Sequence, residues 1–174
     1  KYFDEFGDNS VLYYCNKAKE KFAIFSVREN PIINDVYVSL LNLLSFLNVL
    51  NHKECKENTI KYEFLINARY YINRAKEFSN IKNTRTKYLK WKLFPSYLHT
   101  ESFIEYYELL HMSENNEIKN SDIQNKMNSA FRDLDEAIKN CGNGRNRLRI
   151  RCDILKRKLT EISISKIVDN AITL

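Results

Sequence analysis

The stretch PIINDVYVSLLNLLSFLNVLN, residues 31–51, restricts the fold more than any other part of the chain. Asn30 followed by Pro31 reads as a cap with proline at the first helical position, where its missing N–H costs nothing. The helix that follows is apolar nearly all round. Its polar residues Asp35, Ser39, Asn42, Ser45 and Asn48 fall in one narrow stripe. A helix of this kind is either the buried centre of a bundle or a membrane span. A span needs about 20 predominantly apolar residues. Asp35 and the repeated asparagines argue for the bundle centre, so the sequence predicts no transmembrane segment. The rest of the chain must then supply helices to cover this one.

The punctuation of the sequence agrees. Only 3 Gly and 2 Pro occur in 174 residues, and strand-rich folds need many tight turns built from these residues. Residues 1–9, KYFDEFGDN, read as a loose acidic lead-in. Ser10 can cap a helix from Val11 to about Arg28, with Val11, Cys15, Ala18, Phe22 and Phe25 on one face. A hairpin over the same residues is the weaker reading, because its turn NKAKEK lacks the usual hairpin glycine. A third helix over 57–79 carries Ile60, Phe64, Leu65, Ala68, Ile72, Ala75 and Phe78. A polar break at 80–86 precedes TKYLKWKLF, a short helix or extended piece that stops before Pro95. Thr100 begins a fourth helix to about His111. Ser121 caps a fifth to Asn140, with Ile123, Met127, Ala130, Phe131, Leu134 and Ile138 inward. The last runs from Asn146 or Arg147 to near Ile172, using Leu148, Cys152, Leu155, Leu159, Ile162, Val168 and Ile172. The expectation is all-α: one domain over 1–174, a bundle of five to six helices with mostly antiparallel neighbours.

Four cysteines, an even number, predict two disulfides. Cys15 with Cys55 and Cys141 with Cys152 is the favoured pairing, because each pair falls at the same end of neighbouring helices. Zinc is not expected, since no Cys-x₂₋₄-Cys occurs and His52, His99 and His111 lack ligand spacing with the cysteines. The chain offers no Gly-x-Ser-x-Gly, no Cys–His pair and no glycine-rich phosphate loop. The lead-in carboxylates Asp4, Glu5 and Asp8 resemble the Asp-Glu-Ser-Gly opening of some RNase H-like proteins, but Phe6 replaces the serine, and a solvated acidic terminus accounts for them. The sequence therefore predicts no enzyme, no cofactor and no metal.

Two basic segments remain as binding candidates. In RTKYLKWKLFPSYLH, residues 85–99, Lys87, Lys90 and Lys92 interleave with Tyr88, Trp91 and Tyr97. Such a mixture suits stacking on single-stranded nucleic acid, anchoring at a membrane surface or contact with a protein. In CGNGRNRLRIRC, residues 141–152, Arg145, Arg147, Arg149 and Arg151 recur at every second position. Gly142, Asn143 and Gly144 suit a bend between two helices. Arginines early in a helix oppose its macrodipole, so these four need an offset from carboxylates or an anionic ligand.

The net charge of +6 permits anionic partners. Asn, Lys, Ile, Tyr and Phe are abundant while Ala and Gly are scarce. In this composition the chain is similar to the small helical surface and exported proteins of malaria parasites. The resemblance implies a surface, exported or host-contacting role. No leader segment and no Asn-x-Ser/Thr sequon is visible. The combined expectation is a non-enzymatic domain that binds another protein. Nucleic-acid binding through 85–99 and 145–158 stands second, and an intracellular scaffold or assembly subunit third.

Overall fold

A computed structural model describes residues 11–22, 31–79, 94–114, 120–142 and 146–172. Among them are six α-helices and no strand: α1 Val11–Phe22, α2 Pro31–Glu54, α3 Asn58–Ser79, α4 Phe94–Glu114, α5 Asn120–Asn140 and α6 Asn146–Ile172. The predicted all-α bundle is the fold. Helices two, three, five and six start within about one residue of the sequence expectation. The fourth starts earlier than expected. Pro95 was read as a stop, yet it sits buried in the first turn of α4, where the absent N–H is no loss. For α1 the helical reading holds over Val11–Phe22, against the hairpin. The expected continuation to Arg28 lies outside the described residues.

The closest packing joins α2 to α3 and α4 to α5, and α6 lies against α4 and α5. Leu41, Val38 and Val49 of α2 meet Ala68, Ile72 and Ala75 of α3, Ile104 and Leu109 of α4, Ala130 and Leu134 of α5, and Leu155 and Leu159 of α6 in one core. Small residues at positions 68, 75, 130 and 137 bring the paired helices close. Five inward expectations differ or fall outside the description: Val11 is 43 % exposed and Phe25 lies outside the described residues, and Ile60, Val168 and Ile172 are the others. Ile60 is 40 % exposed. The side chains of Val168 and Ile172 lie outside the described set. At the α5–α6 bend, Gly142 takes no positive φ, and an added Cβ would meet nothing within 4 Å. Of the Gly142–Asn143–Gly144 bend, Gly142 takes no left-handed conformation, and 143–145 lie outside the described residues.

Among the described residues, α2 is the one helix long and apolar enough to cross a membrane, over Ile32–Glu54. It instead packs on α1, α3 and α4.

Candidate interaction surface

The central helix buries polar residues along with its core leucines and valines. Asn34, Asp35, Asn42, Ser45, Asn48, Asn51 and His52 of α2 are all buried. Burying polar groups costs free energy unless they are hydrogen-bonded, and α3 supplies partners for three of these residues. Asn34 donates its amide to Phe78 O at 3.3 Å, Ser45 donates to Ala68 O at 2.8 Å, and His52 Nδ1 lies 2.8 Å from Lys61 O. These three rungs descend α2 as they ascend α3 and fix the antiparallel register. Asn48 bonds back to Leu44 O at 2.7 Å.

With its polar residues inward, α2 leaves apolar ones in solvent. Ile32 is 73 %, Val36 50 % and Leu43 41 % exposed. Phe46 and Leu50 are half-buried on the same line of the helix. At 100° per residue, Val36, Leu43, Phe46 and Leu50 fall within an arc of about 80° over about 21 Å of α2, a column whose sector also holds Ser39. Cys15 of α1 packs on Leu44 and Leu47, and Phe22 on Tyr37, so α1 borders one side of the column.

The other side is aromatic and basic. Phe46 stands 6.3 Å from His99 and 6.2 Å from Phe103 of α4, and Phe103 leads on to Tyr107 at 5.3 Å. His52 caps this ladder, 4.8 Å from Tyr107. From α6, the Arg151 guanidinium lies 6.0 Å over Phe46 and the Lys158 ammonium 5.6 Å over Tyr106. Arg147, Arg151 and Lys158 share one flank of α6, at intervals of four and seven residues. Burial first, and then the Arg151 charge, press His99 down to about 4. Burial likewise lowers His52. Both rings are therefore neutral near pH 7 and add no charge to this edge.

A second polar seam joins α3, α4 and α5. Arg69 holds Glu108 through two bonds, Nε to Oε1 at 2.9 Å and Nη2 to Oε2 at 2.6 Å. Lys126 also contacts Glu108, and Lys76 contacts Glu101. Burial alone would raise the Glu108 carboxyl, but Arg69 and Lys126 hold it below the usual range. Beside this network, Tyr62, Leu65, Ile66, His111 and Met112 line an open cleft of about 380 Å³. Its walls are apolar and its floor is the satisfied Arg69–Glu108–Lys126 set. Among the described residues, no group of three or more His, Cys, Asp or Glu is arranged to hold a metal ion.

The residues singled out from the sequence scatter. Arg147, Arg149 and Arg151 are exposed on α6. No described carboxylate pairs with them, although Lys17, Arg69, Arg74, Lys76, Lys126 and Lys156 each have one. Tyr97 is not a surface contact: it is 8 % exposed, its hydroxyl pushed up by burial and by Glu101. Lys87, Tyr88, Lys90, Trp91, Lys92 and Arg145 lie outside the described residues. The predicted disulfides are absent, for Cys15, Cys55, Cys141 and Cys152 are all free thiols. Cys15 packs level with Leu44 and Leu47. Cys55 lies eight residues beyond Leu47, about 12 Å farther along at helical rise, and a disulfide needs Cα atoms roughly 4.4–6.8 Å apart. Cys141 and Cys152 do approach: burial first, then the Cys141 charge, push the Cys152 thiol up to about 12. They are nonetheless unbonded. Sequence reasoning missed the α2 column because its residues look like ordinary core positions. The signal was there in the five polar residues of α2, which required partners on whichever side they faced.

No protein-family model matches the chain, and comparisons with curated proteins and with solved structures return no similar protein.

Proposed function

We propose that this chain is a protein-interaction domain that works by binding and not by catalysis, and that α2 presents its recognition surface. One observation carries the reading: the central helix buries its polar residues and exposes Val36 and Leu43. A soluble bundle gains nothing from that orientation unless something covers the column. Contiguous exposed apolar surface beside polar residues is a mark of interaction sites, and the half-buried aromatic ladder next to it offers the ring surface from which hot spots are built. The compositional resemblance to parasite surface and exported proteins supports a host-contacting setting for this binding. The free thiols withdraw the disulfide support for an oxidising compartment, so an intracellular assembly role fits the same surface.

Affinity capture tests the reading. Immobilised wild-type chain should retain a discrete partner that the double variant Val36→Asp/Leu43→Asp fails to retain while staying folded by circular dichroism. Equal retention by both would contradict it. Nucleic-acid binding is favoured by a different observation, the three exposed arginines of α6 without carboxylate partners. It predicts oligonucleotide affinity that falls steeply with salt, because neutralised phosphates release counterions. Absence of binding at about 50 mM salt removes it.

A further inference from the structure

We propose that the occupant of the α2 column is an amphipathic helix of a partner protein that carries carboxylates along one edge, facing Arg147 and Arg151. This rests on the interaction-domain reading and specifies its partner. The shape of the surface selects a helix. The column occupies an arc of about 80° on α2 and is about four helical turns long, and Val36, Leu43, Phe46 and Leu50 step by seven, three and four residues. That spacing is a packing ridge for another helix. A bilayer or a flat protein face would ask for a broader patch.

Charge selects the sign. Arg151 lies 6.0 Å over Phe46, itself a member of the column. Arg147 is one turn earlier on the same flank, and both are exposed. The cations of the α3–α4–α5 seam meet carboxylates within the chain, Arg69 on Glu108 at 2.6 Å among them. Arg147 and Arg151 meet none among the described residues. The α6 first turn has no acidic residue to offset them either. Carboxylates spaced one turn apart on a docked helix would each reach one guanidinium, in the bidentate geometry that arginine favours. A second copy of this chain fits poorly, because an isologous contact sets like surfaces together and each copy carries a net +6.

The test uses the whole chain and three synthetic 18-residue amphipathic peptides with one Leu-rich face, flanked by Glu, by Gln or by Lys. Fluorescence anisotropy at moderate salt should show the Glu-flanked peptide binding at least tenfold tighter than the Gln-flanked one, and the Lys-flanked one weakest. Arg147→Glu with Arg151→Glu should reverse that order. Leu43→Asp should abolish binding of all three, with Leu43→Ser as a milder variant should the first fail to fold. Equal affinity for the three peptides, still lost in Leu43→Asp, overturns the acidic partner and leaves the docking column standing. No binding of any peptide overturns the helix proposal. Binding indifferent to Leu43 overturns the proposal and counts against the α2 column itself. Phosphatidylserine-containing vesicles that bind through Leu43 and Arg151 together would reassign the surface to a membrane. Oligonucleotide binding that needs the arginines but not Leu43 would reassign the basic edge to nucleic acid.

Discussion

Glu105 is a residue whose charge the fold disfavours. It is 7 % exposed on α4, and its Oε2 has no hydrogen-bond partner among the described residues. Glu101 on its own helix and Asp133 on α5 disfavour its ionisation, while Arg69 on α3 and Lys126 on α5 favour it. Burial comes first among the causes, and the carboxyl is raised to about 7. A folded-state pKa above the unfolded one means that the native chain holds the proton longer. Its contribution to stability is fully present below the unfolded pKa and is lost as pH rises through about 7. Urea unfolding should show Glu105→Gln more stable than wild type at pH 8, by an amount on the order of 2 kcal/mol, with the difference vanishing near pH 4. His99 works in the opposite direction, losing stability as pH falls below its unfolded value toward 4, and the variant difference cancels it. The thiols give a second expectation. Iodoacetamide with mass spectrometry should label the half-exposed Cys55 and Cys141 in the native chain, and Cys15 and Cys152 only on unfolding.

At the scale of elements, neighbouring residues of α2 should behave oppositely. Leu44 is fully buried and Leu43 is 41 % exposed. Leu44→Ala should cost about 2–5 kcal/mol. Leu43→Gln should cost within about 0.5 kcal/mol, as surface changes do. Paired denaturant melts decide it, and a large loss at position 43 would mean that the column belongs to the core. On α6, Arg147 opposes the helix dipole without an acidic residue nearby in the first turn. Thermal melting should show Arg147→Glu stabilising the isolated chain by about 0.3–1 kcal/mol, an effect that a purely structural arginine would not give. Helix placement is readable in the sequence because Pro31 marks a start and the apolar spacing marks faces, whereas Ser121, expected as a cap, is the second residue of α5. The start of α4 was misread because a proline looks the same as a stop and as a first-turn residue. The facing of α2 was unreadable because a helix apolar nearly all round has no preferred side by periodicity. Carbonyls offered by Phe78, Ala68 and Lys61 decide it, and those are backbone groups of another helix.

For the molecule as a whole, the sequence located charge but not its surroundings. Arg147, Arg149 and Arg151 were evident from their alternation. That Arg151 would stand over Phe46, a hundred residues earlier, follows only from how α6 crosses the α2–α4 pair. The Cys15–Cys55 pairing failed for the same reason: it depends on the axial register between α1 and α2, which local patterns leave open. What emerges is a bundle with an ionic seam on the α3–α4–α5 side, paired at Arg69, Glu108 and Lys126 but not at Glu105 Oε2, and a basic edge on α6 beside exposed apolar residues of α2. The most direct test of that face is site-specific photo-crosslinking. Benzoylphenylalanine placed at Leu43 in the whole chain, and separately at the exposed Asp122 of α5, is irradiated in native extract. The α2 position should yield one discrete adduct, suppressed by excess wild-type chain and not by Leu43→Asp, while Asp122 yields none. Equal, diffuse labelling from both positions, or none from either, would contradict an interaction surface on α2.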